Sequence, residues 1–285
     1  MKKTLNCRGR LVDLTQPVVM GILNATPDSF FADSRVSGEK AAITTVLDIA
    51  QQMLADGATF LDIGGYSTRP GAAPVSPLEE ADRVLPLIEA IAATFPDALL
   101  SIDTFRASVA RQAVASGAVM INDVSGGTLD PTMFQTVAEL SQSQSIVYVL
   151  MHLRGTPQTM QSLAVYEDVV REVIDELAAR LADLRALGAK DVILDPGFGF
   201  AKTPAQNFEL LSRLDAFRLF DEPLLVGLSR KTTIWKTLNI NASQALNGTT
   251  VLNTAALLKG ASILRVHDVR EAAEAIKLTQ QLTFF

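Results

Sequence analysis

The feature that most constrains this chain is a rhythm. Eight short, nearly continuous apolar runs alternate with longer amphipathic stretches. The runs are Val18 to Leu23, Thr59 to Gly64, Ala98 to Asp103, Ala118 to Asp123, Ile146 to His152, Asp191 to Gly197, Pro223 to Ser229 and Ser262 to His267. A strand that is apolar on both faces must be covered on both, and a parallel sheet flanked by helices supplies that cover. Several intervening stretches end in glycine just before the next run, at Gly57, Gly117, Gly188 and Gly260. Glycine there takes the left-handed backbone that stops a helix cheaply. The pattern predicts an α/β fold, a (β/α)8 TIM barrel, as a single domain over residues 1–285. That length suits an architecture of typically about 250 residues. An open doubly wound sheet ranks second, because no run leads into a GxGxxG dinucleotide turn.

Composition narrows the function classes. Hydrophobic residues are 48% and charged residues 20% of the chain, enough for a large core. The net charge of −6 argues against a nucleic-acid partner, although a few local cations could still bind a small anion. Cys7 is the one cysteine, which excludes an intrachain disulfide and a thiolate metal cluster. Two histidines are too few for a His-rich zinc site. No apolar segment follows the leading lysines, and no run approaches the roughly 18 residues of a membrane helix. The expectation is a cytoplasmic enzyme acting on small molecules.

In parallel barrels the C-terminal strand ends and the loops after them form the site. Here those positions hold Asn24, the Ser67-Thr68-Arg69 loop, Asp103, Asn122 with Asp123, His152, Asp195, Ser229-Arg230-Lys231, and Arg265 with His267. One such residue is usually a cap; so many together are hard to explain that way. Arg265 and His267, two apart on a strand, project to the same side, and with Arg69 and Asn24 they suit a phosphate or diphosphate. Asp103, Asn122, Asp195 and Lys231 mix acceptors and donors among apolar neighbours. Two carboxylates suit a ring amino group beside a ring N–H, while an amide and an ammonium suit ring nitrogens and a carbonyl. A flat 2-amino-4-oxo heterocycle such as a pterin or guanine fits that inventory.

At these residues the chain resembles the dihydropteroate synthases of the pterin-binding superfamily. The matching stretches are GILNATPDSF (Gly21 to Phe30), DIGGYSTRPGA (Asp62 to Ala72), SIDT (Ser101 to Thr104), IND (Ile121 to Asp123), LMH with GTPQTMQ (Leu150 to Gln161), LDPGFGF (Leu194 to Phe200), GLSRK (Gly227 to Lys231) and RVHDV (Arg265 to Val269). The resemblance implies a transferase of folate synthesis. It joins a dihydropterin-methyl diphosphate to 4-aminobenzoate, the diphosphate leaving first to give a pterin cation that the arylamine attacks. It also implies Mg²⁺, with Asn24 as metal and diphosphate contact and Arg69, Arg265 and His267 on phosphate oxygens. Asp103, Asn122, Asp195 and Lys231 would hold the pterin. Phe30, Thr68, Pro70, Phe200 and Ser229 would shape the aminobenzoate pocket. A homodimer through C-terminal helices is implied as well, although Thr249 to Leu258 reads equally as barrel packing.

The chain departs from the family text in three places. Phe31 to Arg35 replaces a sequence close to SDGG, Tyr66 stands where many members have Glu, and Ala201 replaces a common glycine. Two rivals remain. A folate-dependent methyltransferase of the same superfamily would not need the STRPG loop, the SRK turn and the RVH pair together. A non-catalytic pterin binder is the other, kept by the altered first loop. Asp62 and Asp123 are expected to be structural, bonding loop backbone. For His152 a structural and a catalytic role weigh equally. Trp235, Phe217 and Phe220 are expected to pack, and Val170 to Leu187 to form an amphipathic outer helix.

Overall fold

The computed structural model describes residues 3–25, 39–67 and 75–282. Two short strands come first, β1 (Thr4–Cys7) and β2 (Arg10–Asp13), followed by β3 (Val18–Asn24) and α1 (Glu39–Ala55). The alternation continues through β4 (Ala58–Gly64), α2 (Pro77–Thr94), β5 (Leu99–Asp103), α3 (Ala107–Ala115), β6 (Met120–Asp123), α4 (Met133–Gln144), β7 (Val147–Met151) and α5 (Val169–Ala186). It ends with β8 (Asp191–Asp195), α6 (Pro204–Ser212), β9 (Leu225–Val226), α7 (Thr232–Leu238), α8 (Leu246–Leu258), β10 (Ile263–Val266) and α9 (Val269–Thr279).

Strands β3 to β10 form one parallel sheet in the order β8-β7-β6-β5-β4-β3-β10-β9. Its two ends meet where Leu194 pairs with Leu224, which closes the barrel. Each of the eight predicted runs overlaps one of these strands, β3 and β4 extending one residue beyond theirs. The shortest, β9, keeps only two residues of its run, because Pro223 has no N–H to give and the backbone beyond Val226 leaves the ladder to turn towards Lys231. Pro223 still contributes its carbonyl, which accepts from Leu194 N at 2.9 Å. Gly57, Gly117, Gly188 and Gly260 all have φ between 96° and 126°, the backbone region that a side chain disfavours.

Two cores result from strands that are buried on both faces. Between strands and helices lie Leu61, Ile63, Ile102, Ile121, Leu150 and Leu194 against Val84, Ile88, Val109, Val173 and Leu177. Inside the barrel, Met20, Phe60, Val147, Val149, Ile193, Leu225 and Ile263 pack with Leu5, Cys7, Val12 and Leu14. The β1–β2 hairpin is therefore the floor of the barrel. It is not among the sequence-predicted strands, although its apolar alternation around Arg8-Gly9 was a readable signal. Both turn residues have positive φ (55° and 89°), as a tight two-residue hairpin turn requires. Burial and Asp191 push the Cys7 thiol up to about 12, so it is an inert part of this floor.

Leu5 is fully buried at the centre of the floor. Leu5→Ala is predicted to cost about 3 kcal/mol in urea unfolding, through lost transfer energy and the cavity left behind. A loss below about 1 kcal/mol would mean that the hairpin stands outside the cooperative core.

Candidate active site

Strand register assembles the site. Asn24 pairs with Gly64, Gly64 with Asp103 and Asp103 with Asn122, so the C-terminal ends of four strands share one row. On the next pair, Asp195 lies opposite Met151. Residues two apart on a strand share a face, so Asp62 lies below Gly64 on the side that Phe60 presents to the barrel interior.

One pocket at this mouth is lined by Asp103, Asn122, Asp195, Lys231 and Arg265, with Val124, Met151, Phe200 and Gly227 as apolar and backbone walls. The four residues expected to cradle a heterocycle are thus brought together, and Arg265 stands among them. Its Nε donates to Asp62 Oδ2 at 2.6 Å and its Nη2 to Asp103 Oδ2 at 2.5 Å. Asn122 Nδ2 also donates to Asp62 Oδ2, at 2.9 Å. Asp62 departs from expectation here: it is fully buried and bonds side chains of the pocket rather than loop backbone. The signal was present in TFLDIG, since a carboxylate inside an apolar strand needs a buried cationic partner. Asp123 does bond its loop, accepting from Ser125 N, Gly127 N and the hydroxyls of Ser125 and Tyr148.

Burial sets the electrostatics. It pushes the Asp103 carboxyl up to about 7, aided by the negative charges of Asp62, Glu80 and Asp123 and opposed by Arg265. Burial also raises Asp195, against the pull of Lys231 and a bond from Gly197 N at 2.7 Å. It lowers the Lys231 ammonium to about 8, with Asp195 opposing. Arg265 is held charged by Asp62 and Asp103. Several charges of both signs thus share a small volume, poised to answer a ligand that carries complementary groups.

Phe200 forms one wall, with Lys231 Nζ 4.8 Å from its ring centroid. Ala201 beside it has φ +47°, which explains why glycine is common there; a β-carbon in this region costs on the order of 1 kcal/mol. Ser229 and His267 meet after the neighbouring strands β9 and β10: Ser229 Oγ lies 3.1 Å from His267 Nδ1 and accepts from His267 N. Arg230 points away from the pocket and pairs with both oxygens of Asp268, tying the SRK turn to the segment after β10. Asn24 stands at the end of β3, half-buried, beside the pocket wall rather than in it. His152 is fully buried outside the pocket lining, between Lys202 and Glu176. Phe217 and Phe220 are buried packing residues as expected. Phe30, Arg35, Thr68, Arg69 and Pro70 lie outside the described residues.

Removing Asp62 would leave Arg265 and Asn122 without their shared acceptor. Asp62→Ala is predicted to destabilise the fold by about 3 kcal/mol in urea unfolding at pH 7.5, a cost expected when one partner of a buried charge pair is lost. A change under about 0.5 kcal/mol would show that the arrangement does not depend on this carboxylate.

Comparison with known proteins agrees with the geometry. The pterin binding enzyme family matches residues 20–267. The dihydropteroate synthase of Escherichia coli strain K12 is 42% identical over 278 residues, covering 97% of this chain and 95% of the relative. The Yersinia pestis dihydropteroate synthase, solved in a sulfonamide drug complex, superposes with a TM-score of 0.88 at 40% identity over 97% of this chain and 98% of that one. The Xanthomonas albilineans enzyme, solved with 4-aminobenzoic acid, gives a TM-score of 0.88 at 37% identity over 99% and 100%. A barrel with these strand-end residues and these relatives belongs to the pterin binding enzyme family, among its dihydropteroate synthases.

Proposed function

We propose that this chain condenses 7,8-dihydropterin-6-ylmethyl diphosphate with 4-aminobenzoate, giving 7,8-dihydropteroate and pyrophosphate. The observation that carries the reading is the pocket in which Asp103, Asn122, Asp195, Lys231 and Arg265 converge. Asp103 and Asp195 would accept from the pterin amino group and ring N–H, and Asn122 and Lys231 would bond its nitrogens and carbonyl. As the C–O bond breaks, its electron pair leaves with the diphosphate and positive charge develops on the pterin methylene. The same two carboxylates, ionised and shielded from water, would stabilise that charge. The arylamine nitrogen then forms the C–N bond and loses a proton, so no protein nucleophile is needed.

Arg265, His267 and Arg69 are assigned to the diphosphate, Arg69 from the resemblance alone. Arg265 already has two guanidinium nitrogens on carboxylates, which suits it to link the heterocycle and diphosphate halves of one substrate. Phe30, Thr68, Pro70, Phe200 and Ser229 are assigned to 4-aminobenzoate, and sulfonamides are expected to compete there. Among the described residues no group of three or more His, Cys, Asp or Glu could hold a metal. A single neutral oxygen from Asn24 fits a Mg²⁺ ion that takes most of its ligands from diphosphate and water. Bound so, the ion would offset leaving-group charge.

Among the described residues no helix is long and apolar enough to cross a membrane, and a cytoplasmic setting is part of the proposal. A homodimer is proposed through α8 and α9, which pack together and expose Val251, Leu258 and Leu278. Sedimentation velocity should give a dimer for the native chain and a monomer for Val251→Glu with Leu278→Glu; a monomeric native chain at micromolar concentration would overturn the dimer.

The decisive assay is release of pyrophosphate from the two substrates with Mg²⁺, lost in Arg265→Ala; no release above that variant would sink the reading. Asn24→Ala should raise the Mg²⁺ concentration needed. The pH dependence has a definite sign. Asp103 must be ionised, so kcat/KM should rise as pH passes about 7, and Lys231 must be protonated, so it should fall as pH passes about 8. Asp103→Asn should lower kcat/KM and flatten the acid limb; a limb that persists unchanged would assign it elsewhere.

A further inference from the structure

Lys202 is a buried cation that the proposed chemistry does not use. It is 3% exposed, and its Nζ lies 3.1 Å from Gly197 O, 3.1 Å from Phe200 O and 3.0 Å from His152 Nδ1. The loop it touches follows β8 and carries Phe200 into the pocket, starting two residues beyond Asp195. Side chains hold much of this loop's backbone. Gly197 N donates to Asp195, Gly199 N to Asn207 Oδ1 at 2.8 Å, Phe198 O accepts from Lys231 and Ala201 O from the Tyr166 hydroxyl at 2.9 Å. Lys202 bridges the two ends of the turn from inside the fold. A methionine would fill the same space but leave both carbonyls without this donor, so the lysine is what ties the two ends of the turn together.

We propose that Lys202 is a positioning residue for the arylamine subsite, holding Gly197 O and Phe200 O so that the Phe200 ring keeps its place against Lys231. This rests on the assignment of Phe200 to 4-aminobenzoate. The groups facing Lys202 are Asp195 on β8, His152 after β7, Glu176 on α5, Arg154 and Lys231, with Arg180 acting on His152. Burial and Lys231 bring the ammonium down to about 7, and burial keeps His152 neutral, near 4. Both protonation states of Lys202 preserve the clamp. The ammonium donates to both carbonyls and to a bare His152 Nδ1. The neutral amine keeps two N–H donors, one for each carbonyl, and gives up only its bond to His152, whose Nε2 faces Glu176 Oε2 at 3.1 Å. Substitution, rather than pH, should therefore open the loop.

The test compares native chain, Lys202→Met and Lys202→Arg in steady-state turnover. In Lys202→Met, KM for 4-aminobenzoate should rise about tenfold, while KM for the pterin diphosphate and kcat stay within about threefold, because Asp103 and Asn122 are placed by strands rather than by this loop. The positions of both pH limbs should not move, and Lys202→Arg, which keeps N–H donors, should recover part of the affinity. An unchanged KM for 4-aminobenzoate would overturn the proposal, as would a uniform fall in all parameters together with the melting temperature. If Lys202→Met does not fold, Tyr166→Phe, which frees only Ala201 O, should raise the same KM by about threefold, and no rise would overturn it. Absence of turnover in the native chain would instead refute the synthase reading.

Discussion

Arg265 stands between Asp62 and Asp103, and much of the pocket is organised around that placement. Two carboxylates this close inside a barrel repel each other; a guanidinium between them offsets that repulsion and fixes both side chains. Asp62 in turn orients Asn122. Three strands far apart in the chain, β4, β5 and β10, are thereby joined at the mouth by charge as well as by backbone bonds around the barrel. The site's polarity is possible because it sits where the parallel strands end. Below that level the interior is filled mainly by apolar side chains, Met20, Phe60, Val149 and those of the hairpin floor.

The strands and the loop after β8 do different work. Asp103, Asn122 and Asp195 are held by strand register and change little with anything short of refolding. Phe200 depends on a turn whose carbonyls are claimed by Lys202, Lys231 and Tyr166. A heterocycle would bind to the rigid half and an arylamine beside the side-chain-held half. That division would let two substrates be recognised by different means in one cavity, one by fixed hydrogen bonds and one by a positioned ring.

Much of this was legible in the chain. The eight strands and the glycine stops followed from period and from backbone freedom, both local properties. The pocket's members followed because a strand's last polar residue has only one place to go in a parallel barrel. The hairpin at residues 4–13 escaped because only its pairing and its role as a floor distinguish it from an irregular lead-in. Asp62 was read as a loop-bonding carboxylate, since the strand alone does not reveal that Arg265, 203 residues later, comes within 2.6 Å.

The sequence by itself determined the architecture, the set of groups at the mouth and the kinship with pterin enzymes, because periodicity, capping and motif order are written along the chain. The tertiary structure decided which of those groups touch. It placed Arg265 in one pocket with Asp103, Asn122, Asp195 and Lys231, left His152 and Arg230 out of that pocket, and set Lys202 beneath the loop that bears Phe200. Those assignments depend on how strands close into a barrel and on which buried charges must find partners, and neither is a property of any one segment.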